Sequence, residues 1–209
     1  MSPGAITIAR VMTPGDIGYP DGMRWQPDAR SRLQEAAFTL YAERGYEQTT
    51  VAEIAARAGL TKRTFFRYFA DKREVLFFGS ELLEQQMVAA IEAAPASASA
   101  LGLIGAALDA AGVRFEEVGE YAGVRQRIIA SSPELQEREL IKAVSLAAAM
   151  ARALRARGLG DTAATLAART GMIVFQVAFE QWVADPSRAP FAQVARDALG
   201  QLRELAAAG

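Results

Sequence analysis

Between Thr49 and Phe77 the chain reads TTVAEIAARAGLTKRTFFRYFADKREVLF, and the stop signals in this stretch leave little choice of local structure. Thr50 followed three residues later by Glu53 is a capping-box pattern, which opens a short helix carrying Val51, Ile54, Ala55 and Ala58 at helical spacing. Gly59 ends that helix, and Thr61 is placed to cap a second one running to about Phe69. In the second helix Lys62, Arg63 and Arg67 are basic and no acid appears before Asp71. Two short helices joined by a glycine turn, the second one cationic, predict a helix-turn-helix that reads a DNA major groove.

The helix wheel at about 100° per residue assigns sides to this second helix. If Phe65 faces inward, Phe69 does too, and Arg63, Thr64, Phe66 and Arg67 point away. An outward arginine can bind a guanine edge in bidentate fashion, worth about 1 to 3 kcal/mol of discrimination. Phe66 has two readings, contact with a thymine methyl or packing against the helix that follows. Thr50, Thr61, Tyr68 and Lys72 sit near helix ends, where hydroxyl and ammonium groups reach phosphates and fix register.

Charge supports the same placement. The formal net charge is -1, but residues 24–74 hold ten basic and seven acidic side chains, and the remainder holds thirteen and seventeen. Only the first part suits a polyanion. The absence of both Cys and His removes disulfides, most zinc sites and the Ser-His or Cys-His catalytic arrangements. No metal, cofactor or catalytic residue is therefore expected, and an enzyme is disfavoured. A helical enzyme built on Glu116, Glu117 and Glu120 would need those carboxylates to converge on a pocket.

Residues 1–26 are dense in Pro and Gly, which predicts a flexible extension rather than a helix, and Arg10 interrupts any signal-peptide core. Met23 is an alternative start that would leave 1–22 out. From Asp28 to Arg44, Leu33, Ala37, Phe38 and Tyr41 define an amphipathic helix that braces the next two. A long helix is expected from Asp71 to about Ala93, with Pro95 beyond it. Five further helices follow, the first of them carrying Leu101, Ile104, Leu108 and Phe115 on one face despite Gly102, Gly105 and Gly112. Tyr121–Ile129 is short, and Ser132 with Pro133 caps a long helix to about Arg157 with Leu140, Val144, Ala147, Ala151 and Leu154 as its buried stripe. Asp161–Ala184 is apolar nearly all round, although Gln176 and Glu180 break its apolar run below the ~18 residues of a membrane span. The last helix, 188–207, carries Phe191, Val194, Ala198, Leu202 and Leu205. The fold class is all-α. Residues 27–70 form a three-helix DNA-binding domain and 71–209 a larger helical domain, in a protein expected to be soluble and cytoplasmic.

From about Leu33 to Phe77, including the brace helix ending in AERGY and the run TKRTFFRYFADKREVL, the chain resembles the DNA-binding domain of the TetR family of bacterial transcriptional regulators. The resemblance implies about nine helices per subunit, a homodimer formed through the two C-terminal helices, and a small-molecule pocket in the larger domain. It puts phosphate contacts on Thr50, Thr64, Tyr68 and Lys72, and base reading on Thr61, Lys62, Arg63, Phe66 and Arg67. Phe66 stands where many members have Tyr, which removes a hydroxyl. The helices that bound the family's cavity would contribute Phe115, Tyr121, Arg125, Met172, Phe175 and Phe179, and an inward Arg125 would favour an anionic or carbonyl-bearing ligand. The function implied is a repressor that binds a palindromic operator and is released by an effector; the alternative is a DNA-binding helical dimer with no effector.

Overall fold

The computed structural model describes residues 28–185 and 189–207, apart from the side chains at 117, 118 and 120. The expected N-terminal extension, 1–26, lies outside the described residues. Among them every regular element is a helix. The first three are α1 (Ala29–Arg44), α2 (Val51–Arg57) and α3 (Lys62–Tyr68), and each starts where a side chain can take an orphan N–H. Asp28 accepts from the Ser31 N–H at 2.7 Å. Thr50 and Glu53 form the reciprocal capping box, with the Thr50 N–H donating to Glu53 at 2.9 Å, and Thr61 Oγ1 accepts from the Thr64 N–H at 3.1 Å. Leu33, Ile54 and Phe65 are fully buried at the centre of this three-helix head.

The long helix expected from Asp71 to Ala93 is interrupted. A single turn, α4 (Glu74–Phe77), gives way to Phe78 in an extended conformation and Gly79 at φ +90°, and α5 (Ser80–Ala93) starts afresh. Glycine tolerates that positive φ without the Cβ clash other residues suffer. If α4 and α5 are counted as one broken helix, the described elements match the nine expected.

The body consists of α5, α6 (Ala100–Val118), α7 (Glu120–Ala130), α8 (Pro133–Ala156), α9 (Asp161–Ala184) and α10 (Phe191–Ala207). Its core is built on Met87, Ile104, Leu108, Met150, Leu154 and Phe191, all buried. The head's core does not end at α4: Ile128, Ile129 and Leu135, from α7 and the start of α8, belong to the same buried cluster as Leu33 and Phe65.

Two expectations about α8 are corrected. Leu140 and Val144 were placed in the buried stripe, yet they are 67% and 70% exposed. Ala151 and Leu154 of the expected stripe are buried, and they pack with Leu135, Leu146, Ala149, Met150 and Ala153. The sequence carries two apolar stripes on this helix, and periodicity cannot say which one faces the subunit. Ser132 makes no cap; Pro133 opens the helix, and the Ser132 hydroxyl donates instead to Glu47 of the head at 3.0 Å.

On length and composition α9 is apolar enough to cross a membrane, contrary to the expectation from Gln176 and Glu180. Its neighbours give another reason for that composition, since α9 packs against α8, α10 and α6.

Gly112 marks the closest approach in the body. A Cβ there would fall 2.6 Å from Ala192 Cβ and 3.0 Å from the Ala192 backbone N, so α6 and α10 meet where only glycine fits. Gly112→Ala gains about 1 kcal/mol of helix propensity but forces the helices apart, at an overpacking cost of about 1 to 3 kcal/mol. A net loss of stability is expected in urea unfolding, and a variant more stable than the wild type would contradict the close crossing.

Candidate DNA-reading surface and ligand cavity

The turn before α3 and the cap on it orient one face of a seven-residue helix outward. Lys62, Arg63, Phe66 and Arg67 are exposed, Thr64 and Tyr68 are half-buried, and Phe65 and Phe69 are buried. Phe66 is 56% exposed, its ring edge-on to Phe65 at 5.5 Å, so the packing alternative for this residue is not the one adopted. Arg67 is partly held, donating to Tyr68 Oη at 3.1 Å and lying over its ring. Thr61 Oγ1 is 3.0 Å from Thr64 Oγ1, and Thr50 is occupied by its capping box.

Lys72 has a role within the head. Its ammonium donates to the carbonyls of Tyr46 (2.8 Å), Thr49 (3.1 Å) and Glu47 (3.4 Å) and sits over the Tyr46 ring. The ammonium's three N–H donors are thus matched by carbonyls, which orders the turn leading into α2. Periodicity did not point to two arginines beside this surface. Arg30 lies over the rings of Tyr68 and Phe78. Arg32 donates to the Ala58 and Gly59 carbonyls, closing the end of α2.

A polar joint ties head to body. Arg138 Nε meets Glu74 at 2.7 Å, Arg73 meets Glu134 at 3.0 Å, and Tyr46 Oη donates to Glu134 at 3.3 Å. Tyr41 Oη donates to the Lys72 carbonyl at 2.6 Å. Burial pushes both tyrosine hydroxyls above their ordinary range, helped for Tyr46 by the Glu134 charge and for Tyr41 by its proximity to Tyr46. Burial acts to raise the Asp71 carboxyl, but hydrogen bonds from the Arg73 side chain and from the Glu74 and Arg73 N–H groups outweigh it, so Asp71 titrates below its ordinary value.

Beside this joint lies a cavity of about 930 Å³. Phe115, Tyr121, Arg125, Met172, Phe175 and Phe179 all stand on its wall. Arg125 is not free to meet an anion: Nε donates to the Leu76 carbonyl at 2.8 Å, Nη1 pairs with Glu139 at 2.9 Å, and the guanidinium lies over the Phe77 ring. Phe115 is the hub of an aromatic floor, with Phe179 at 5.1 Å and Phe191 at 4.8 Å between ring centroids. Ser31, Gln34, Glu35 and Phe38 were not anticipated on this wall; they come from α1 of the head. Phe38 meets Tyr121 of α7 edge-to-face at 5.9 Å, so the two bodies touch across the cavity. Nothing in the spacing of α1 sets Phe38 apart, since it keeps helical register with Leu33, Ala37 and Tyr41. The α4–α5 break contributes Phe77, Phe78 and Gly79.

Among the described residues no cluster of three or more acidic, Cys or His side chains could hold a metal ion. Glu116 is exposed and off the cavity wall; the side chains of Glu117 and Glu120 lie outside the described residues.

Residues 33–77 match the family model for bacterial regulatory proteins of the tetR family. The chain is 31% identical over 160 residues to the HTH-type transcriptional regulator TcmR of Streptomyces glaucescens, covering 71% of this chain and 70% of TcmR. Its fold is that of Bacillus subtilis FadR in complex with stearoyl-CoA (TM-score 0.59, 20% identity, 82% of this chain and 96% of that one). The SmeT–triclosan complex shares it as well (TM-score 0.60, 20% identity, 83% and 88%). The capped helix pair with its outward basic face lies inside the matched segment, and the likeness to TcmR extends well beyond it. The chain belongs to the TetR family and is a DNA-binding transcriptional regulator, not an enzyme.

Proposed function

We propose that the protein is a cytoplasmic, ligand-responsive repressor that binds a palindromic operator as a homodimer and leaves it when a small molecule fills the cavity. The observation that carries this reading is the shared wall: α1 of the head and α5–α9 of the body line one space, so an occupant touches the DNA-binding unit directly. In this reading residues 27–70 are the DNA-binding domain and 71–209 the ligand-binding and dimerisation domain. Two recognition helices enter successive major grooves ~34 to 36 Å apart, and occupancy of the site blocks transcription. The fold's occurrence with stearoyl-CoA in FadR and with triclosan in SmeT supports a small-molecule effector here.

Arg63, Lys62 and Phe66 read base edges, with Arg67 and Thr61 beside them, and Thr50, Thr64 and Tyr68 lie along the flanking phosphates. Lys72 acts by holding the turn that presents Thr50. An effector releases DNA only through a difference in its affinity for the two conformations; moving a 1:99 balance to 99:1 takes about 5.5 kcal/mol. The break at Phe78–Gly79 localises the flexure, so the head moves about a joint rather than through an unbroken lever.

Dimerisation uses α9, whose Leu166, Ile173 and Val177 are 61%, 62% and 41% exposed. The apolar face of α10 is largely consumed inside the subunit by Phe191, Val194, Ala195 and Leu199, so its contribution is limited to its end, at Leu205. Leu140 and Val144 of α8, which packs against α9, are likewise exposed.

Selection from genomic fragments followed by footprinting should yield a palindromic site, and Arg63→Ala or Arg67→Ala should weaken binding by about 1 to 3 kcal/mol per lost base contact. Equally weak binding to every sequence would contradict the reading. Ile173→Glu should shift the protein toward monomer in sedimentation while leaving helical content unchanged; a dimer of undiminished strength would remove α9 from the interface. A thermal-shift screen separates the effector reading from an effector-free dimer, which predicts no stabilising compound.

A further inference from the structure

The cavity's wall chemistry restricts what it can hold, an argument that rests on reading it as the effector site. Seven aromatic side chains line it. Phe38, Phe78 and Tyr121 stand at the head–body junction, and Phe115, Phe175 and Phe179 form the floor, with Phe175 and Phe179 parallel to within 1° at 6.1 Å. Aromatic rings thus line both the junction and the floor of one space, and a multi-ring ligand can meet them in offset and edge-to-face contacts.

Charge narrows the class further. The wall holds Glu35, Glu81, Glu84 and Glu139 against Arg114, Arg125 and Lys142. Glu139 and the Leu76 carbonyl occupy Arg125, and Arg114 also has an interaction of its own. A phosphate-rich ligand requires several cations converging on its oxygens. Here Glu81 and Glu84, one turn of α5 apart, stand at the wall with Glu35 on α1. A polyanion would lose hydration there and gain repulsion.

We infer that the effector is an aromatic, multi-ring compound without phosphate groups, its rings held between the Phe38–Tyr121 junction and the Phe115–Phe175–Phe179 floor. Glu35, Glu81 and Glu84 on the same wall disfavour coenzyme A thioesters relative to such a compound.

Calorimetric titration of the full chain with triclosan, a two-ring compound without phosphate, and with lauroyl-coenzyme A, a polyanionic chain, tests this. Triclosan should bind at least about tenfold more tightly, a difference of ~1.4 kcal/mol. The paired substitution Glu81→Lys with Glu84→Lys, both on a solvent-reachable helix face, should narrow the gap by strengthening lauroyl-coenzyme A binding while changing triclosan affinity less than about twofold. Tighter binding of lauroyl-coenzyme A by the unmodified protein, or no response to the charge reversal, would overturn the assignment of ligand class and leave the effector site standing. If neither probe binds and no compound in the thermal-shift screen stabilises the protein, the effector reading itself fails, and this inference with it.

Discussion

The Leu76 carbonyl ends a helix of one turn, and much of the architecture depends on what satisfies it. Because Phe78 is extended and Gly79 left-handed, the hydrogen-bond ladder cannot run from α4 into α5, which leaves late carbonyls of α4 without helical donors. Arg125 supplies one, bonding Leu76 from α7 while Glu139 of α8 holds its other side. One guanidinium therefore closes a helix, joins head to body and shapes the cavity wall. With Arg138–Glu74, Arg73–Glu134 and the Ser132–Glu47 bond it makes a joint of directional contacts beside the apolar one formed by Ile128, Ile129 and Leu135. Each partly exposed ion pair is worth little alone, but together with the shared core they give the head one preferred orientation.

The head was legible in the sequence because its determinants are short-range. The Thr50–Glu53 and Thr61–Thr64 caps each span three residues with Gly59 between them, and the wheel that hides Phe65 and Phe69 must expose Arg63 and Phe66 once the caps fix the helix. The α4–α5 break was not legible for the opposite reason. Val75, Leu76, Leu82 and Leu83 keep helical spacing across it, and a single glycine inside a periodic run is ordinarily tolerated at modest cost. Only the tertiary setting, with Arg125 ready to take the freed carbonyl, makes the interruption favourable.

The outer surface of the body shows where periodicity runs out. Leu140 and Val144 satisfy a helical stripe as well as Leu146, Met150 and Leu154 do, and Leu166 and Ile173 are as apolar as Val174 and Phe179. A sequence needs two apolar faces when a helix packs both within its subunit and against a second copy, and nothing local distinguishes the two. The six cavity residues named from family likeness do share one wall, but their likeness could not reveal Phe38, which belongs to the head core by its spacing and meets Tyr121 across the cavity. Nor could it show that Arg125 spends its donors within the protein.

If the cavity holds an effector as proposed, these features constrain how it acts. A ligand buried wholly within the body could act on the head only through the joint, and a joint of several weak pairs transmits strain poorly when each can yield separately. A ligand that also touches α1 bears on the head itself. In the proposed reading, an occupant beside Phe38 and Tyr121 would press the head about the fulcrum formed by Ile128, Ile129 and Leu135, with the break at Phe78–Gly79 as the point of flexure. The apolar fulcrum is non-directional and survives small rotations. The Arg125 and Arg138 contacts are directional and do not. A rotation of the head in that reading would lose the ion pairs before the core opened, so the two orientations it requires would differ by a few weak polar contacts, a gap that differential ligand affinity can overcome.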